Sequence, residues 1–156
     1  MAIDLTIGTH AMSGVSKLLA TSGGAHIYNV TLTSDADNGN LIGRSADMKS
    51  FDNYEEATAT DFKGVIQWQA TNGNFYVEVT EATDALLVYN PPVSPYDAPA
   101  ALKSEKAWYN KAGEVVRAHE LKVGDIFELS AEGFEGTPEV GAEIDGITDK
   151  KLTINE

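Results

Sequence analysis

Two runs rich in β-branched and aromatic residues, 64–69 (Gly-Val-Ile-Gln-Trp-Gln) and 75–80 (Phe-Tyr-Val-Glu-Val-Thr), flank Ala70-Thr71-Asn72-Gly73-Asn74. Strand formers on either side of an Asn-Gly pair specify a hairpin, because that pair supplies the positive φ a tight turn needs. The same signature recurs along the chain. Residues 27–33 alternate as a strand, 35–40 are turn chemistry around Asn38-Gly39, and Leu41-Ile42-Gly43-Arg44 returns. Ala85-Leu86-Leu87-Val88-Tyr89 is an apolar run short enough for a central strand. Residues 47–61 are polar and predict a long loop or one short helix. With strong helix signals missing throughout, the pattern predicts an all-β fold of small barrel or sandwich units.

Proline sets the organisation. Four of the five prolines lie in nine residues, Pro91 to Pro99. Proline cannot donate to a sheet ladder and fixes φ, so this stretch predicts a stiff connector. The expected division is an N-terminal arm (1–26), a β unit (27–90), the Pro-rich connector (91–106) and an acidic C-terminal β unit (107–156), folded either as two small β units or as one barrel with a Pro-rich crossover. In the last unit 107–109 and 115–117 flank a turn at 110–114, 121–129 form a β-run, and 143–144 and 152–154 close the unit. The arm is rich in Gly, Ser and Thr, yet it carries Ile3, Leu5, Ile7, Met12, Val15, Leu18 and Leu19. Apolar residues in a segment unable to build its own core are expected to find burial against another subunit or another copy.

Charge narrows the partners. Eleven Lys and Arg face 24 Asp and Glu, a formal charge of -13. That balance argues against nucleic acid, since no basic surface is at hand to neutralise phosphates, and against an anionic membrane. No apolar stretch is long enough to span a bilayer as a helix, and the sequence from Met1 has no signal-peptide pattern. With no cysteine there is no disulfide, thiol nucleophile or cysteine-held zinc. From Val123 to Asp149 eight acids occur without one base, which fits a solvated face or a surface that meets a basic patch.

Catalytic constellations do not emerge. Residues 8–17 resemble a phosphate loop only in glycine content, because no Gly-Lys-Ser/Thr ends them. Asp35, Asp37, Asn38 and Asn40 gather oxygens as a calcium loop would, but Asn40 and Ala46 stand where an EF-hand needs glycine and glutamate. A turn explains the same residues. His10, His26 and His119 share no metal-ligand spacing, and no Gly-x-Ser-x-Gly occurs. The chain is therefore expected to be no enzyme, with no cofactor and no metal. Trp68, Tyr76 and Tyr89 on adjacent predicted strands supply the alternative function, a carbohydrate-binding β module with an aromatic platform; cross-strand pairing or core packing is the ordinary account of the same residues.

The words Asn90-Pro91-Pro92-Val93, Trp108-Tyr109-Asn110-Lys111-Ala112-Gly113-Glu114 and Leu121-Lys122-Val123-Gly124-Asp125-Ile126-Phe127-Glu128-Leu129 resemble auxiliary capsid proteins of tailed bacteriophages, the decoration or cement proteins. Val140-Gly141-Ala142-Glu143-Ile144-Asp145-Gly146 and Lys151-Leu152-Thr153-Ile154 are similar in style, so the resemblance spans 75–154. It implies a virion protein made in the host cytoplasm that binds the outside of a capsid lattice without catalysis. Its partners would be the major capsid protein and further copies of itself. It carries no functional residue over one by one, and the long leading half departs from simpler members.

Overall fold

The computed structural model describes residues 2–3, 11, 13–14, 27–50, 53–59, 61–90 and 108–155. The strands in chain order are β1 (Ala2–Ile3), β2 (Ser13–Gly14), β3 (Ile27–Thr31), β4 (Leu41–Arg44), β5 (Tyr54–Ala57), β6 (Asp61–Gln69) and β7 (Phe75–Thr83). They continue with β8 (Leu86–Val88), β9 (Trp108–Tyr109), β10 (Val115–Glu120), β11 (Ile126–Leu129), β12 (Phe134–Glu135), β13 (Glu143–Thr148) and β14 (Lys151–Asn155). A single 3-10 turn at Ala131–Gly133 is the only helical piece among the described residues. The all-β class predicted from the pattern is the observed one.

Two assemblies share the chain. Strands β10-β3-β5-β4-β8 close into a five-stranded barrel, antiparallel except for the β3–β5 pair. Strands β12-β14-β13-β6-β7-β11-β2 form a seven-stranded sheet, and β1 pairs with β9. The β6–β7 hairpin read from the sequence is its longest pair, closed by Ala70 N–H to Asn74 O (2.7 Å) and Gly73 N–H to Ala70 O (2.9 Å), with Gly73 at φ 92°.

Burial on two faces joins the assemblies. Leu86 and Val88 point into the barrel with Val30, Leu32, Ile42, Val116 and Ala118. Between them Leu87 faces the other way, into the core of the large sheet with Phe62, Ile66, Val77, Phe127, Leu129 and Leu152. Leu41 and Ile42 divide in the same manner. This is why Leu86-Leu87-Val88 reads as a continuous apolar run: a strand covered on both sides needs no polar alternation.

Several expectations are corrected by the strand partners. Residues 27–90 and 107–156 interleave: β10 completes the barrel between β3 and β8, while β11 and β13 flank the β7–β6 pair. The Asn38-Gly39 turn does not join paired strands, since β3 and β4 bond to other neighbours. Likewise the turn at 110–114 leads from β9, which pairs with β1, to β10, which pairs with β3 and β8. Asn-Gly and Lys-Ala-Gly motifs fix where a chain reverses, but barrel closure chooses the partner. The polar stretch 47–61, expected as a loop or helix, contains β5, whose Tyr54 packs on the barrel core. The Pro-rich connector lies outside the described residues.

Two left-handed residues in a row, Asp149 (φ 48°) and Lys150 (φ 68°), make the two-residue turn between β13 and β14. Such primed turns match the right-handed twist of a hairpin. Asp145-Gly146 forms the bulge within β13, with Gly146 at φ 97°.

Candidate functional site

Of the arm residues singled out in the sequence, Ile3 lies in β1, with Trp108 as its register partner. Leu5, Ile7, Met12, Val15, Leu18 and Leu19 lie outside the described residues. Between them the chain is stitched to the body. Ala11 is buried and its N–H donates to Asp37 Oδ2 (3.0 Å). Ser13–Gly14 adds to the edge of β11, and Ser13 Oγ donates to Glu128 O (2.7 Å). Arm residues 11, 13 and 14 are thus structural parts of the molecule.

The aromatic platform is present in part. Regular alternation from buried Ile66 would turn Trp68 inward. A bulge between Ile66 and Trp68 places both Gln67 and Trp68 opposite Tyr76 and reverses the phase. Trp68 therefore lies on the outer face, 57% exposed, stacked on Tyr76 with ring centroids 5.3 Å apart and planes at 27°. Gln67 and Ile126 complete a shallow apolar shelf. Polar side chains border it in fixed positions: Gln67 Nε2 donates to Glu78 Oε2 (3.0 Å), and Asn74 Nδ2 and Asn72 Nδ2 donate to Glu128 Oε1 (2.7 and 3.3 Å). Tyr89 is not part of this shelf; it follows β8 and meets the His119 ring at 6.3 Å.

A second feature sits at the barrel wall. The Arg44 guanidinium lies over the rings of Tyr28 (4.3 Å) and Tyr54 (4.4 Å), which themselves meet edge to face. It borders a cleft with Gly43, Ala46, Thr58, Asp84, Leu86 and Glu120. Nearby Lys122 Nζ and Glu120 Oε1 pair at 2.6 Å, and that contact raises the Lys122 ammonium above the ordinary lysine range. The cage holds Arg44 by cation–π attraction and stiffens the β3–β5–β4 wall.

The oxygen-rich segment 35–40 is spent on the fold. Asp35 Oδ1 accepts the Ala112 N–H (2.8 Å), Asp37 Oδ2 accepts that of Ala11, and Asn40 Oδ1 accepts the Asp37 N–H (2.9 Å). Among the described residues no group of three or more His, Asp or Glu side chains is placed to hold a metal. His119 is buried on β10, its Nδ1 3.3 Å from Leu87 O. Burial holds its imidazole below the ordinary histidine range, the Arg117 charge adds to this, and the Leu87 carbonyl opposes it. His10 and His26 lie outside the described residues.

What sequence reading missed is a buried amide triangle. Asn110 Nδ2 donates to Asn38 Oδ1 (3.2 Å), Asn90 Nδ2 donates to Asn110 Oδ1 (3.2 Å), and Asn38 Nδ2 donates to Asn90 O (2.8 Å). Asn38 Oδ1 also accepts the Asn90 N–H (3.0 Å), and Asn90 Oδ1 that of Arg117 (3.1 Å). The triangle fastens both flanks of segment 91–107 to the loop after β3. Each asparagine sits among turn residues, where its type signals a turn and not burial. Comparison with known proteins finds no matching family model, no similar curated protein and no similar solved structure.

Proposed function

We propose that this chain is a non-catalytic structural protein of a virus particle, a decoration or cement protein on the outer surface of a capsid lattice. It is made in the host cytoplasm, binds the major capsid protein there or on the particle, and associates with further copies of itself. The observation that carries this reading is the anchoring of the N-terminal segment by Ala11 and by β2 at the edge of the seven-stranded sheet. Sheet edges are where a second chain adds a strand, and the two-residue β2 covers little of the one it occupies. Leu5 and Ile7 precede the anchor in sequence, Met12 lies within it, and Val15, Leu18 and Leu19 follow; with Ile3 these are the proposed capsid or self contacts. Each Leu or Ile fully buried there contributes roughly 1.5–3 kcal/mol before the cost of ordering the segment. The resemblance of 75–154 to decoration proteins and the acidic character of 123–149 agree with a subunit attached at one end and solvated elsewhere.

Co-sedimentation with shells of the major capsid protein encoded in the same genome tests the reading. The full chain should pellet saturably with the shells. The quadruple substitution Leu5→Ser, Ile7→Ser, Leu18→Ser, Leu19→Ser, which spares the anchor, should stay folded and remain in the supernatant. A full chain that never pellets would remove the proposal.

A further inference from the structure

The outer face of the large sheet carries a feature that capsid attachment through the arm does not use. Trp68 is among the largest apolar side chains in the chain, and a β-bulge turns it away from the core. Exposing an indole forgoes the stabilisation that its burial would bring, and bulges commonly re-aim a side chain towards a ligand. Tyr76 stacked beneath it holds the ring in place, so that little side-chain entropy is left to lose on binding. The shelf is shallow and open, lined by Gln67, Trp68, Tyr76 and Ile126.

The rim states the chemistry of the occupant. Glu78 and Glu128 lie beside the shelf, on the strand of Tyr76 and on its neighbour β11. Both are held by side-chain amides, from Gln67, Asn72 and Asn74. Carboxylates with lone pairs to spare accept hydroxyl hydrogens, and the Gln67 amide adds a carbonyl acceptor and a second N–H beside the one given to Glu78, while Asn72, whose carbonyl accepts the Asn74 N–H (3.0 Å), helps hold Glu128. A group that donates and accepts alternately around a flat apolar face answers this arrangement, and a pyranose ring is such a group. The two rim carboxylates repel a sugar that carries an acid of its own. We propose that the Trp68–Tyr76 shelf is a binding site for an uncharged pyranose saccharide, its C–H face laid on the indole and its hydroxyls on Glu78, Glu128 and the adjoining amides. A basic side chain would satisfy the carboxylates but would leave the amide acceptor–donor pattern unused.

The full-length free protein, without capsid, is titrated with maltose, cellobiose and N,N′-diacetylchitobiose, with 3′-sialyllactose and penta-lysine as charged controls, and binding is read by calorimetry. At least one neutral disaccharide should bind, with affinity unchanged between low and high salt. Trp68→Ala should weaken it at least about tenfold, and Trp68→Phe by less. Circular dichroism should show both variants folded, since Trp68 is half out of the protein. The proposal is overturned if none of the neutral sugars binds, if binding survives Trp68→Ala unchanged, or if only penta-lysine binds through Trp68. Because no capsid is present, these outcomes leave the decoration reading untouched.

Discussion

Glu56→Gln should destabilise the protein by about 2–3 kcal/mol in urea unfolding, somewhat less than breaking a fully buried ion pair costs, because Lys150 keeps part of its exposure. Glu56 on β5 and Lys150 in the β13–β14 turn pair at 2.8 Å, with only 7% and 19% of their side chains exposed. Neither charge relies on the other alone. Lys150 Nζ also donates to Ser34 Oγ (2.7 Å) and to the carbonyls of Ser34 and Asp35 (both 3.3 Å). Glu56 Oε1 accepts the Thr33 N–H (2.9 Å). The Lys150 carbonyl in turn accepts the Leu41 N–H (2.8 Å), so one residue of the large sheet's hairpin is bound into the barrel. The neutral amide leaves the ammonium in a half-closed cleft without its counter-charge. Lys150→Met should cost a similar amount for the mirror reason, and it keeps a Cβ at φ 68°, so backbone strain is unchanged. The pair Glu56→Leu with Lys150→Met should recover much of the loss, because no charge is then stranded. Single variants within about 0.5 kcal/mol of the parent would show a solvent-screened pair that locks nothing.

Asn110→Leu, which keeps the branched skeleton but replaces the amide by two bulkier methyls, should cost about 2–4 kcal/mol, since one to two buried polar groups lose a partner. Asn110 is fully buried. Removing its amide leaves Asn90 Nδ2 with no acceptor in the triangle and takes one of two donors from Asn38 Oδ1. The backbone of Asn110 is held separately by mutual bonds with Ala36 at 2.8 Å, so the fold should survive and the loss be measurable. Asn72→Ser, at the exposed tip of the β6–β7 hairpin, is the control and should change stability by less than about 0.5 kcal/mol. Equal small effects at the two sites would mean that the triangle contributes no more than surface amides do.

The parts of this fold that were legible in the sequence are those that leave a local signature in the chain. The β6–β7 hairpin is readable because Asn72-Gly73 joins strands that pair with each other. Leu86-Leu87-Val88 is readable because burial on both faces shows directly as an unbroken apolar run. The barrel was less legible, since β10 must find β3 across more than 80 residues and no local signal encodes that choice. β5 was missed because its exposed Glu55 and Ala57 alternate with half-buried Tyr54 and Glu56, and Glu56 hides its role behind a surface residue type. Of the aromatic platform, Trp68 and Tyr76 were found through their places on neighbouring strands. Their common face was not readable, because simple alternation gives Trp68 the wrong side and only the bulge corrects it. Tyr89 fell away because β8, which it follows, closes the barrel and not the sheet.

The claim that ties sequence, fold and function together is that the N-terminal segment makes the attachment while the body stays as it is. Hydrogen exchange followed by mass spectrometry, on the free protein and on the protein bound to capsid shells, measures this directly. Backbone amides in 4–10 and 15–26 should exchange markedly more slowly on the shell, as newly formed contacts or added strands protect them. Amides of β6, β7 and β13, already paired within the sheet, should exchange at the same rate in both samples. Slowing confined to the body strands, with 4–10 and 15–26 unchanged, would contradict the account.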